Sequence, residues 1–247
     1  MKKKRLFPAG KTVWMVIAGF VVIAGAVAGY VIRQTKNRVQ IEFDIHINKE
    51  AVYLSTYAEP PQFAIWLEDP ESGKREQVFV TYRGGSGDWE GKADVPVAIP
   101  HWTTVFHDGK QTLSDAVSGA TPRDEYFRVR IEVRPGSRWI CWIEMNLAGD
   151  YNEYYPQFNR VTKEEDEFSC GQPALLYRAD IEATKGNHYL PQIVSMSLWN
   201  NGENTLLPLD STITTAQYVF DEISVQIVEP KPVIINLKNI DQQDVLK

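Results

Sequence analysis

Residues 13–32 form a run of twenty amino acids without a charge, and no later stretch of the chain is as apolar. At a rise of about 1.5 Å per residue, a helix of that length spans the roughly 30 Å hydrocarbon core of a bilayer. The sequence therefore predicts a single N-terminal transmembrane helix at 13–32. The alternative is a cleaved signal peptide, because Ala26-Val27-Ala28 resembles a cleavage site, although the run exceeds a usual signal core.

The charges beside this run predict its orientation. The basic residues before and after it are Lys2, Lys3, Lys4, Arg5 and Lys11, then Arg33, Lys36 and Arg38. The excess at the N-terminus favours a cytoplasmic tail at 1–12, since basic flanks stay on the cytoplasmic side. The rest of the chain would then lie outside the cytoplasmic membrane, in a periplasm or its equivalent.

Small residues recur at a spacing of four within the predicted helix. The two pairs are Gly25 with Gly29 and Ala24 with Ala28. Such rows allow a second membrane helix to approach closely, so they indicate helix packing against another subunit. The alternative is that glycine and alanine are common in any membrane span.

Charge divides the chain into two parts. The first 38 residues hold 8 of the 26 lysines and arginines and none of the 32 acidic residues, so the remainder carries a formal charge of −14. This balance argues against nucleic acid as a partner, because nucleic acid requires a basic surface. It is typical either of simple solubility or of docking to a basic soluble electron carrier.

The two cysteines, Cys141 and Cys170, could pair in an oxidising compartment, but their spacing alone does not show that they do. The chain contains no C-x-x-C-H and no C-x-x-C. The sequence therefore predicts neither a c-type haem nor a zinc or iron–sulfur framework.

After a linker at 33–38, apolar and polar residues alternate in several short segments, which is typical of strands with one buried face. Region 89–123 lacks such periodicity and is expected to cross between sheets, and no strong amphipathic helix is expected after residue 38. The sequence predicts an all-β fold, an antiparallel two-sheet sandwich at 39–229, followed by an extended tail at 230–247. The predicted strands are 39–47, 63–67, 77–82, 126–133, 138–146, 174–181, 193–198 and 216–228.

One motif carries a chemical hypothesis: Asp115-Ala116-Val117-Ser118-Gly119-Ala120-Thr121. It resembles the D-x-x-S-G-A-T signature of bacterial domains that carry covalently bound FMN. The resemblance implies Thr121 as the flavin attachment residue and Asp115 as a recognition residue, with Ser118 and Gly119 keeping the loop thin. Those domains usually continue A-T-x-T-S, whereas Pro122 and Arg123 follow here. The alternative is an ordinary loop, in which Asp115 accepts from backbone amides and Ser-Gly forms a turn.

Several segments that together make up most of the domain, among them 63–69, 150–155 and 171–177, resemble another group, a bacterial family of periplasmic domains that occur beside flavin transferases and PepSY-type membrane reductases. This resemblance implies association with electron transfer and does not imply catalysis. We therefore expect a non-catalytic subunit of a membrane electron-transfer complex, respiratory or photosynthetic, in the bacterial inner membrane. The alternatives are a redox carrier with FMN on Thr121 and a tethered ligand-binding sandwich. The resemblance lies in segments 63–69, 115–121, 150–155, 171–177 and 214–216.

Other candidate sites are weaker. None of the four histidines has a partner at metal-ligand spacing, so no metal site is predicted. Asp150, Asn152 and Glu153 could offer oxygens to calcium, but their spacing does not match an EF-hand loop, and an Asx turn is the favoured interpretation. There is no G-x-S-x-G motif that would indicate a nucleophilic serine.

Overall fold

The computed structural model of the chain describes residues 9–36, 38–86, 98–107, 118–119, 122–158, 160–163, 171–200 and 203–230. Most of the predicted cytoplasmic tail, Cys170 and all but the first residue of the predicted C-terminal tail lie outside these residues. So do Asp115 and Thr121 of the motif.

The longest helix, α1, contains the predicted apolar run and extends beyond it at both ends. It includes residues 33–36, which the sequence had assigned to a linker. Its side chains are exposed wherever the structure describes them, including Trp14 at 74% and Phe20 at 77%. Across the described residues, no helix is found that is long and apolar enough to cross a membrane. The helices are α1 Ala9–Lys36, α2 Lys49–Tyr53, α3 Tyr82–Ser86 and α4 Pro100–His107, with a 3₁₀ turn at Ala216–Tyr218.

The strands form two sheets, which confirms the prediction of an all-β sandwich. The smaller sheet has the order β5-β1-β11-β8 and the larger β10-β9-β7-β6-β2-β3-β4, and all pairings are antiparallel except β3 with β4. The strands are β1 Val39–Ile47, β2 Gln62–Glu68, β3 Arg75–Thr81, β4 Ser118–Gly119, β5 Tyr126–Val133, β6 Arg138–Asn146, β7 Ala174–Glu182, β8 His188–Tyr189, β9 Gln192–Asn200, β10 Glu203–Leu207 and β11 Phe220–Val228.

The core lies between the two sheets and is built from alternate residues of each strand. Ile41, Phe43 and Ile45 of β1 are fully buried and belong to the same core as Phe63 and Ile65 of β2. Successive side chains point to opposite faces of a strand, so the apolar residues at alternate positions all lie on the face that packs in the core. Each such side chain contributes roughly 1.5–3 kcal/mol of burial free energy.

The outer face of the smaller sheet is a ladder of charged cross-strand pairs. Arg128 bonds to Asp44, Arg130 bonds to Glu42, and each pair stands opposite in the β1–β5 register. Opposite charges placed directly across two antiparallel strands stabilise the pair modestly. This face is therefore a polar surface that needs no covering element.

The outer face of the larger sheet is apolar and is covered by α4. A second buried cluster joins Trp66 of β2 and Val80 of β3 to Ile99, Trp102 and Phe106. No strong amphipathic helix was expected after residue 38, and α4 was not predicted, because it spans only eight residues and its apolar positions, 102, 105 and 106, are too few to show a clear period. The predicted strand 216–228 also begins later, at Phe220, after the 3₁₀ turn.

Candidate functional site: a helix clamped onto the larger sheet

Glu144 of β6 holds the first turn of α4 against the sheet. Its carboxylate accepts hydrogen bonds from the backbone N–H groups of His101, at 2.9 Å, and Trp102, at 2.6 Å. The first N–H groups of a helix have no partner within the helix, and a negative charge there is favoured by the helix dipole. A carboxylate from a neighbouring strand thus takes the place of a local N-cap.

Burial changes the acidity of this carboxyl group. Glu144 is 0% exposed, and burial raises its pKa to about 7. The hydrogen bonds from the backbone N–H groups of Trp102 and His101 act in the opposite direction and lower the pKa. The carboxyl group therefore holds a proton more readily than a solvent-exposed glutamate does.

A chain of polar side chains continues from this point to the sheet edge. The Ser197 hydroxyl donates to Asn204 Oδ1 at 2.9 Å, and Asn204 Nδ2 lies 3.2 Å from His101 Nδ1. Burial lowers the pKa of His101, and the positive charge of Arg75 acts in the same direction. The Ser197 hydroxyl donates to an amide rather than to the imidazole, so the cluster lacks the nucleophile–base contact of a hydrolase.

Aromatic side chains surround this polar chain. The rings of Trp66 and Trp142 stack with centroids 6.2 Å apart, Trp102 and Phe106 stack at 5.6 Å, and the Arg178 guanidinium lies 5.4 Å from the Trp142 ring. The indole N–H groups of Trp66 and Trp142 are buried and have no hydrogen-bond partner in the described part of the chain. These rings therefore contribute packing and a cation–π contact.

The flavin-like motif touches the opposite edge of the same sheet. Ser118 and Gly119 form β4, which pairs in parallel with Val80 and Thr81 of β3. A Cβ atom on Gly119 would lie 2.7 Å from Cε2 of Phe79, so close packing requires a glycine there. Flavin attachment at Thr121 stays a prediction, because Thr121 and Asp115 lie outside the described residues.

Three of the segments that carry the family resemblance meet at one corner of the sandwich. Asp150 Oδ1 accepts from the Gln172 backbone N–H at 2.9 Å, and Gln172 Nε2 donates to the Asp150 carbonyl at 2.6 Å. The Gln172 side-chain oxygen accepts from the Thr214 N–H at 2.6 Å. Burial raises the pKa of Asp150 to about 8. These motifs therefore join loops, which is a structural role.

The predicted Asx turn beside this corner is confirmed. The Asn152 side-chain oxygen accepts from the backbone N–H groups of Tyr154 and Tyr155. Oδ1 of the buried Asp150 accepts from Gln172, so one carboxylate oxygen and the Asn152 amide oxygen considered for calcium are engaged in bonds within the chain, and Glu153 is exposed. Within the described ranges, no three His, Cys, Asp or Glu side chains come together in a metal-binding arrangement.

The predicted helix-packing residues lie on the exposed surface of α1. Gly25 and Gly29 have no atom within 4 Å of an added Cβ, and Ala24 and Ala28 are exposed. Cys141 lies in the core as a free, fully buried thiol, and burial raises its pKa. The structure therefore leaves the small-residue face open and gives Cys141 a packing role.

An open groove of about 340 Å³ lies at the end of the sandwich where β1 finishes. Its apolar lining includes Ile47, Val52 and Pro122, and its charged lining includes Lys49 and Arg123. Volumes of this size accommodate small ligands. Sequence reasoning missed this groove, as it missed the Glu144–His101 cluster. The one signal for the cluster is a glutamate in the middle of an apolar strand.

Searches with family models, among curated proteins and among solved structures found no match to this chain.

Proposed function

We propose that this protein is a single-span subunit of a membrane electron-transfer complex, with a non-catalytic sandwich on the extracytoplasmic side. The observation that carries the proposal is the exposed apolar surface of α1. Twenty successive uncharged residues lie on one helix, and their described side chains are exposed, including Val16, Phe20 and Ile23. A surface of this kind is covered by lipid or by another apolar helix.

A non-catalytic role is supported by the hydrogen bonds of the buried carboxyl groups, which go to the backbone of neighbouring segments. Glu144 accepts the backbone N–H groups of α4, and Asp150 accepts that of Gln172. Both carboxyl groups join one segment of the chain to another. Groups with shifted pKa values mark active sites only when they can reach a substrate, and both of these are buried.

The role in electron transfer is inferred from the resemblance of the sequence motifs to those of domains found beside membrane reductases. This role remains a prediction. The acidic balance of the domain supports docking of a basic soluble carrier. Exposed carboxylates occur at the end of the sandwich away from α1, among them Glu50, Asp124 and Glu153. A basic carrier would meet this end first.

Purification from native membranes tests the proposal. The full-length chain, extracted in mild detergent, should co-purify with other membrane proteins in fixed proportion. Replacing Gly25 and Gly29 by valine should remove those proteins, because the bulky side chains close the small-residue face. Gly19→Val is the matched control, since its Cβ also meets open space but on another face of α1. Recovery in the soluble fraction, or as a lone chain from membranes, would refute the proposal.

The flavin alternative is tested on the same sample. A yellow preparation with an increased intact mass that Thr121→Ala removes would establish covalent FMN. A colourless protein of unmodified mass, produced together with the flavin transferase, would exclude that alternative and leave the structural role standing.

The groove near Ile47 favours the second alternative, a tethered ligand-binding sandwich. A binder of this kind should behave as a monomer after removal of residues 1–38. It should also show a saturable ligand-dependent rise in melting temperature that Arg123→Ala and Tyr53→Ala reduce.

A further inference from the structure

The connection between α1 and the sandwich is very short. α1 ends at Lys36 and β1 begins at Val39, so three Cα–Cα steps span at most roughly 11 Å. Arg38 is also fixed to the domain, because its Nη1 donates to Glu132 Oε2 at 2.8 Å. If α1 is embedded in a bilayer, the end of the sandwich that adjoins it must lie at the membrane surface.

Two tight turns share that end. The strand register pairs Val39 with Val133 and Gln40 with Val228, which brings the ends of β5 and β11 beside the start of β1. Backbone hydrogen bonds fix both turns to their neighbours: Gly136 N–H donates to the carbonyl of Ala183, just before the second turn, at 2.9 Å, and Gly186 N–H donates to the Ile227 carbonyl of β11 at 3.0 Å. We call residues 134–138 and 184–187 the foot of the domain.

The two arginines of the foot flank its first turn. Arg134 and Arg138 are exposed and make no ion pair among the residues that the structure describes. Two other cations nearby are paired, Arg38 with Glu132 at 2.8 Å and Lys185 with Glu229 at 2.5 Å. Glu182, opposite Arg138 in the register, is bonded by the Thr184 hydroxyl. The guanidinium groups that flank the first turn therefore remain available to an anion.

We propose that the foot rests on anionic phospholipid headgroups through Arg134 and Arg138. This inference rests on the proposed membrane anchor, because the short connection is what places the foot at the bilayer. Guanidinium groups bind phosphate oxygens in a bidentate fashion and are weakly hydrated, which suits the headgroup layer. The opposite end, roughly 30 Å away along the nine residues of β1, lies outside that layer.

Cysteine accessibility in the full-length chain tests the proposal. Pro135→Cys reports on the foot, and Tyr53→Cys, at a residue 69% exposed at the opposite end, is the control. Both are made in a Cys170→Ser background, since Cys141 is fully buried. The proteins are placed in vesicles of phosphatidylcholine alone or with about one quarter phosphatidylglycerol, and labelling by a charged, water-soluble maleimide is timed.

We expect labelling of Pro135→Cys to slow by at least about fivefold in the anionic vesicles, because each of the two arginines contributes about fivefold at such a surface. Labelling of Tyr53→Cys should not change. Arg134→Gln with Arg138→Gln should abolish the slowing, whereas Lys49→Gln with Arg123→Gln removes the same charge at the far end and should preserve it. High salt should also abolish it.

The outcomes separate the two proposals. If the chain floats with vesicles but Pro135→Cys reacts equally fast in both lipids, the foot does not bind headgroups and the anchor still stands. If the chain does not float with vesicles, the anchor itself is wrong. If the far-end pair abolishes the slowing as well, net charge rather than the foot is responsible and the proposal is overturned.

Discussion

The outer faces of the two sheets differ in chemistry and in whether another element covers them. The smaller sheet presents charged pairs such as Arg128–Asp44 to solvent, whereas the larger sheet presents Trp66 and Trp142 and is covered by α4. A charged ladder needs no further element, and each of its pairs contributes little. An aromatic face must be covered, so its stability depends on a few buried contacts. Substitutions on the two faces should therefore differ several-fold in cost.

The largest effect is expected from Trp102→Ala. Trp102 is 1% exposed and stacks on Phe106, so its loss should lower the free energy of unfolding by roughly 3–5 kcal/mol. A guanidinium titration of the full-length chain measures this. Tyr126→Ala, at an exposed ring on the opposite outer face, is the control and should cost less than about 1 kcal/mol. If Trp102→Ala and Tyr126→Ala lowered the free energy of unfolding equally, the proposed difference between the two faces would be wrong.

Glu144→Ala should be the next most damaging change. It leaves the buried Trp102 N–H without an acceptor, at roughly 1–3 kcal/mol, and the partly buried His101 N–H at a smaller cost. Glu144→Gln keeps one acceptor oxygen, so its free energy of unfolding should fall by about half as much as that of Glu144→Ala. Amide hydrogen exchange should show faster opening of α4 in both variants, with β1 unchanged. Uniform acceleration over the whole domain would mean that Glu144 does not act through α4.

The buried carboxyl groups predict how stability depends on pH. The pKa values of Glu144 and Asp150 are raised to about 7 and about 8, so the folded chain binds more protons than the unfolded chain below those values. The contribution of these two groups to stability is therefore fully present at acidic pH, below their ordinary pKa values of about 4, and is lost as the pH rises through about 7 and about 8. Between pH 5 and 8.5 the free energy of unfolding should fall by more than about 1 kcal/mol per group.

Neutral variants provide the control for this pH dependence. Glu144→Gln and Asp150→Asn should each flatten the profile, and the double variant should flatten it most. A wild-type stability that instead rises between pH 5 and 8.5 would show that neither carboxyl group is held in its protonated form.

The smallest effect is expected in the charged ladder. A double-mutant cycle of Arg128→Ala and Asp44→Ala should give a coupling free energy of about 0.2–1 kcal/mol, because the Arg128 side chain is 57% exposed. High salt should weaken the coupling. A coupling free energy of several kcal/mol would mean that the outer face of the smaller sheet contributes as much to stability as the aromatic face does.

The sequence predicted the sandwich because its strands keep a period of two. The predicted bounds of β1, β5 and β6 agree with the structure: β1 and β5 alternate in burial over most of their length, and the Pro135–Gly136 turn separates β5 from β6. The predicted bounds of β9 and β11 were less accurate. A local 3₁₀ turn or an added residue at the end of a strand does not change the alternating pattern of the sequence.

The candidate site was not predictable in the same way. Glu144 stands out as a glutamate within an apolar strand, but the sequence does not show which part of the chain covers it. Here α4, more than forty positions earlier in the chain, covers it. A short helix that arises from a non-periodic segment is stabilised by tertiary packing rather than by its own propensity, so local patterns do not reveal it.

The sequence by itself determined the properties that depend on neighbours in the chain: an uncharged apolar run, alternating strands, a glycine at the Pro135–Gly136 turn and the acidic balance of the domain. Only the tertiary structure decided which sheet face is covered, which carboxyl groups are buried and which arginines share an end with α1. Those outcomes depend on strand order and register, which bring together residues far apart in the chain through contacts that no local pattern encodes.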